Sequence, residues 1–138
     1  EGGVPSAPPP PPALRGITAN TRAFTVQVRN AMWRRVELLA RRRAWDLSVL
    51  DPELDLDAWQ EAVAAYYDDH DDVGVSAASR APAMLQVQHD REARLWQVRQ
   101  VVDDPAGDRD WAFVATVDLE ASDLEGTAVI TGHGLQRL

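Results

Sequence analysis

The residues able to do chemistry form three groups: a run of arginines, two aspartate clusters and isolated histidines. All fourteen basic residues are Arg, and no Lys is present. This excludes a phosphate-loop lysine and a Schiff-base lysine. Eight of the Arg fall between Arg15 and Arg43, against one acid, Glu37. Residues 46–79 then hold ten acids and no base. Arg reads phosphate bidentately and stacks on bases, so the basic block is a candidate RNA contact. The alternative is an Arg face docked on acids of this domain or of a neighbour.

Asp68, Asp69, His70, Asp71 and Asp72 form the densest polar cluster. Oxygen ligands with one imidazole suit Mg²⁺, Mn²⁺ or Ca²⁺. The alternating spacing of a calcium loop is missing, and adjacent residues point apart. A solvated helix end, or a counter-charge for the Arg block, is the expectation, with no metal site. Asp103, Asp104, Asp108 and Asp110 flank a Pro105–Gly107 turn. Paired carboxylates can do acid–base work, but turns attract Asp for backbone reasons. His89 and His133 have no Ser, Asp or Glu at a spacing that marks a triad. Gly126, Gly132 and Gly134 make no phosphate loop. No catalytic residue is expected, and no cofactor. Cys is absent, which removes disulfides, thiolate catalysis and Cys-ligated zinc and fits a reducing compartment.

These residues need elements to position them. Residues 1–16 carry six of the nine prolines, five of them consecutive from Pro8 to Pro12. That composition predicts an extended polyproline spacer ahead of a single domain over residues 17–138. The chain starts at Glu1 and enters the spacer at once, which suggests a piece of something longer. Phe24, Val28, Met32, Val36 and Leu39 recur at three- and four-residue spacing and predict a helix over residues 21–44. Arg34 and Arg41 project from its polar side. Arg35 and Arg42 fall beside the apolar stripe, where a charge needs an acidic partner. Arg43 sits at the helix end. A second helix over residues 57–69 is expected to turn Trp59, Ala62, Val63, Tyr66 and Tyr67 inward, behind a cap from Asp55 or Asp57.

From Met84 the period changes to two. Strands are expected over residues 84–88, 95–102, 111–119 and 127–131, with polar turns between them, including residues 121–126. Two helices on an antiparallel meander of about four strands give an α+β fold. One candidate is a nuclear-transport-factor-like cone. Trp33, Trp59, Trp96 and Trp111 look like core. Tyr66, Trp96 and Trp111 would line any pocket between helices and sheet. The net charge of −8 argues against a general nucleic-acid binder. No apolar run reaches the roughly 20 residues a membrane span needs.

Six stretches occur in order behind the spacer. They are Thr18-Ala-Asn-Thr-Arg-Ala-Phe24, Val28-Arg-Asn-Ala-Met-Trp-Arg-Arg-Val-Glu-Leu-Leu-Ala40, Tyr66-Tyr-Asp-Asp-His-Asp-Asp-Val-Gly74, Trp96-Gln-Val-Arg-Gln100, Asp103-Asp-Pro-Ala-Gly-Asp-Arg-Asp-Trp111 and Val117-Asp-Leu-Glu-Ala-Ser-Asp123. The set resembles the C-terminal domain of unknown function of actinobacterial DEAD/DEAH-box RNA helicases, over nearly all of residues 17–138. The resemblance implies an upstream superfamily-two motor in the same polypeptide, cytoplasmic, binding ATP and Mg²⁺ and remodelling RNA. No ATP-site residue carries over to this chain. It would be a non-catalytic accessory domain, for RNA engagement through Arg34, Arg41 and Arg43 or for docking on the motor. Two other readings remain open: a small cone-fold enzyme or ligand-binding protein with a pocket near Tyr66, Trp96 and Trp111, and a structural self-association module.

Overall fold

The structure is a computed structural model that describes residues 16–138. The Pro-rich stretch expected to be a spacer lies outside the described residues. The fold is α+β: helices lie against one face of a four-stranded antiparallel sheet of order β1-β2-β3-β4. The long helix α1 spans Thr21–Ala40. Asn20 caps it, its side chain accepting from the Ala23 N–H. Its stripe Phe24, Val28, Met32, Val36 and Leu39 is fully buried, as the three- and four-residue spacing predicts.

The helix stops four residues earlier than its hydrophobic pattern suggests. The Arg43 N–H donates to the Leu38 carbonyl and the Arg42 N–H to the Leu39 carbonyl. Those two bonds make a Schellman stop, with Arg42 at φ 55° where glycine is usual. No glycine announces this end, so sequence patterning runs through it. Arg42 therefore leaves the apolar stripe where the helical wheel puts it. Its guanidinium instead lies 3.6 Å from the centre of the Tyr67 ring, which holds the left-handed residue in place.

A short helix α2, Ala44–Leu50, follows with Leu47 buried. Helix α3, Leu56–Asp69, is capped by Asp55 and buries Trp59, Val63 and Tyr66. Two single 3₁₀ turns, Ala78–Arg80 and Pro82–Met84, lead from α3 to the sheet. The strands are β1 Leu85–Asp90, β2 Leu95–Val101, β3 Trp111–Asp118 and β4 Val129–Arg137. Trp96, Val98, Phe113, Ala115 and Val117 face the helices, and Gln97, Arg99, Val114 and Thr116 face outward, as period two requires. Alongside the two long helices, the fold thus has two short ones. The second of these, α4 Leu119–Glu125, occupies the stretch expected to be a polar turn. Asp118 caps it and Gly126, at φ 78°, ends it. Seven residues are too few to show a helical period, and Asp, Ser and Gly read equally well as turn formers.

The core runs continuously from α1 and α3 onto the sheet. Trp59 is its centre: its ring lies 6.3 Å from Phe113, and its N–H donates to the Asp51 carbonyl at 3.1 Å. No helix among the described residues is long and apolar enough to cross a membrane.

Candidate functional site

The arginines divide by environment. Arg35 is buried, and its guanidinium grips Asp51 through Nε at 2.7 Å and Nη2 at 2.6 Å. Its Nη1 donates to the Ala31 carbonyl. This supplies the acidic partner that its place beside the stripe requires. Arg43 is exposed and paired with Asp46. Arg34, on α1, and Arg41, its C-terminal capping residue, lie seven residues apart and are both exposed. Among the described residues neither is in an ion pair. Four tryptophans are buried, and the fifth, Trp45 on α2, is 62% exposed.

The expected pocket residues part company. Tyr66 and Trp111 meet edge-on, with ring centres 5.8 Å apart. Trp96 packs instead on Phe24 and His89. Trp96 lines a hollow with Thr18, Arg94 and Leu119, and Trp111 lines another with Ala62, Leu135 and Arg137. His89 itself lies on β1. Burial pushes the Tyr66 hydroxyl far above its ordinary pKa, helped by the nearby Asp104 charge. It stays protonated and donates to the Asp72 carbonyl at 2.6 Å.

The two aspartate clusters, forty residues apart, converge on His70. Its Nε2 lies 3.0 Å from Asp110 Oδ1 and its Nδ1 3.6 Å from the buried Asp104 Oδ2. Asp69 accepts from the Trp111 indole at 3.0 Å and pairs with Arg137. Ligand atoms of Asp69, His70 and Asp110, and of His70, Asp104 and Asp108, come close enough to share a cation. The hydrogen bonds and ion pairs within the group already account for these contacts. Its visible work is to tie the end of α3 to the turn before β3.

Burial alone would raise the Asp104 carboxyl. The N–H groups of Asp108 and Arg109, at 2.9 and 2.6 Å, outweigh it with His70 and hold the group below the usual carboxylate range. Burial likewise opposes Asp123, and is outweighed by bonds from Thr18 and Arg94. A folded-state pKa below the unfolded one adds stability above the unfolded value, lost as pH falls through the folded value. We expect urea stability to fall as the pH drops below about 4. Asp104→Asn/Asp123→Asn should flatten that acid limb; an unchanged limb would show that neither carboxylate drives it.

The feature that sequence reading misses lies on the sheet's outer face. Between β3 and β4, Val114 opposes Gly134 and Ala115 opposes Gly132, so His133 is the extra residue of a β-bulge. Its Nε2 lies 2.7 Å from Thr116 Oγ1, and its Nδ1 lies 2.8 Å from Glu53 Oε1. Thr116 Oγ1 also lies 2.9 Å from the Gln97 carboxamide oxygen. Glu53 is eighty residues from His133, so no spacing could mark the set. The Gly-His-Gly sequence is the one local signal. Gly132 is required because a Cβ there would overlap the Asp51 carboxylate, and Gly134 because its φ is 131°.

A family model described as "Domain of unknown function (DUF3516)" matches residues 4–135. The chain belongs to the DUF3516 family. No curated protein and no solved structure matches this chain. The family match spans both the Arg helix and the bulged strand.

Proposed function

We propose that this DUF3516 chain is the accessory domain of an ATP-dependent DEAD/DEAH-box helicase and engages RNA through the exposed side of α1. The observation that carries the RNA contact is the sorting of the arginines. Arg35 and Arg43 are matched by acids and Arg42 is stacked, while Arg34 and Arg41 stand exposed on one side of the helix. Trp45, just beyond Arg41, offers an exposed π-face of the kind on which unpaired bases stack. The motor reading rests on the ordered resemblance of residues 17–138. On that reading the Pro-rich segment tethers the domain to a cytoplasmic motor, and ATP and Mg²⁺ belong to that motor.

The domain's net charge of −8 repels polyanions at long range, so binding should be local and modest. Fluorescence anisotropy with single-stranded RNA should show affinity that falls steeply with salt. Arg34→Ala/Arg41→Ala should weaken binding about tenfold or more and lower the salt slope by roughly one per arginine. Salt-insensitive binding, or an unaffected double variant, would rule out this face.

A further inference from the structure

From the bulge on β4 we infer a second activity: hydrolysis of small anionic acyl esters, with Thr116 as nucleophile, His133 as general base and Glu53 as its positioning residue. This does not rest on the RNA reading. It uses the outer face of the sheet, whereas α1 packs its buried side on the inner face.

The proton positions follow from the contacts. Glu53 is a carboxylate and can only accept, so a neutral His133 carries its proton on Nδ1 and donates to it. Nε2 is then an acceptor, and Thr116 gives its only hydroxyl proton to it across 2.7 Å. In the structure the Gln97 amide oxygen faces Thr116 at 2.9 Å; the proposal requires that carboxamide to turn end for end and present its NH₂ once the hydroxyl proton is given to Nε2. A hydroxyl is thereby left with an activating base on one side and a hydrogen-bond donor on the other. That is the nucleophile–base–orienter relation required for acyl transfer.

The same face has room for a substrate. A shallow hollow of about 390 Å³ lies on it, lined by Gln86, Gln88, Gln97, Arg99 and Val114 with Val87 and Val98; it meets the Thr116–His133 pair through Gln97. Val114 precedes Thr116 by one outward position on β3, and Arg99 stands directly opposite Val114 on β2. An anionic group held by Arg99 would place an acyl carbon a few bonds away over Thr116. Arg99 supplies charge and a fork for carboxylate or phosphate.

The step balances without any other reactant than water. Thr116 Oγ1 attacks the carbonyl carbon, and its proton passes to His133 Nε2. The Gln97 NH₂ donates to the developing oxyanion. The bond from the carbonyl carbon to the alcohol oxygen breaks, and His133 returns the proton to that oxygen. Water, losing a proton to His133 Nε2, then attacks the acyl-threonine. Collapse releases the carboxylic acid and restores the Thr116 hydroxyl. Glu53 holds the ring so that the same nitrogen faces the hydroxyl throughout.

The test uses the full chain. With p-nitrophenyl hydrogen succinate as probe, Thr116→Val should lower the hydrolysis rate by roughly 10³-fold, and His133→Gln similarly. Glu53→Gln should lower kcat more than it changes KM and should move the pH–rate midpoint, which a merely structural contact would not do. Arg99→Ala should raise KM for the succinate ester far more than that for p-nitrophenyl acetate. A fluorophosphonate probe should add to Thr116 in the parent chain and not in His133→Gln, by peptide mass spectrometry. Circular dichroism of each variant keeps loss of folding apart from loss of chemistry. Hydrolysis unaffected by Thr116→Val in a folded variant, or a parent rate no higher than that of free imidazole with no labelling of Thr116, would overturn the proposal.

Discussion

Arg35→Ala should cost about 3–5 kcal/mol of folding stability, because it leaves a buried carboxylate without a counter-charge. Asp51 is 2% exposed and its two oxygens each receive one arm of Arg35. Removing the guanidinium leaves both oxygens facing protein and not water. A small domain has only about 5–15 kcal/mol in total, so the variant should be partly unfolded near physiological temperature. The pair itself is not the source of that stability. Taking two charges out of water offsets most of their attraction, so neutralising both together should be far milder. Arg35→Met/Asp51→Asn should therefore recover more than half of the loss. Arg43→Ala gives the contrast: its partner Asp46 lies at the surface, and such exposed pairs are worth about 0–1 kcal/mol. Urea unfolding of these variants decides the matter. A loss below about 1 kcal/mol for Arg35→Ala would mean that water reaches Asp51.

The extent to which the sequence foretold this molecule follows from how local each signal is. The α1 stripe from Phe24 to Leu39, the alternation from Trp111 to Val117 and the Asp55 cap depend on neighbours within a few residues, and each stands as its pattern predicts. The need of Arg35 for an acid was legible from the same wheel, though not that Asp51 would meet it. The end of α1 was not legible, because Arg42 takes a conformation that glycine usually marks. Helix α4 was not, because seven residues between an Asp and a Gly look like a turn. The His70 cluster and the Thr116–His133–Glu53 contacts are assembled across forty and eighty residues by the packing of α3 and the 51–55 loop against the sheet. Nothing in composition or spacing encodes such meetings. The exposed Arg34 and Arg41 were visible as a polar side of a helix, but only the structure divides them from the arginines already matched by acids.

The same loop explains why a single methyl group should be nearly as damaging as a lost charge. Gly132→Ala places a Cβ inside the volume of the Asp51 carboxylate, which is not the free end of a flexible chain but is clamped by Arg35. Something rigid must shift: the bulge, the 51–55 loop or the ion pair. Overpacking of this kind typically costs 1–3 kcal/mol, and displacing the buried pair adds to it, so we expect about 3 kcal/mol or more. The loss should depend on its partner. In an Arg35→Met/Asp51→Ala background the carboxylate is gone, and Gly132→Ala should cost at least about 1 kcal/mol less than in the parent. Equal costs in both backgrounds would show that the close approach of Asp51 is not what excludes a side chain at Gly132. Because Gly132 precedes the bulged His133 and Asp51 lies two residues before Glu53, the variant should also separate those side chains. The NMR chemical shifts of the His133 ring report this directly: they should move in Gly132→Ala. In Gly126→Ala, where φ is 78° and a Cβ meets nothing within 4 Å, only backbone strain is added, and the ring should not move.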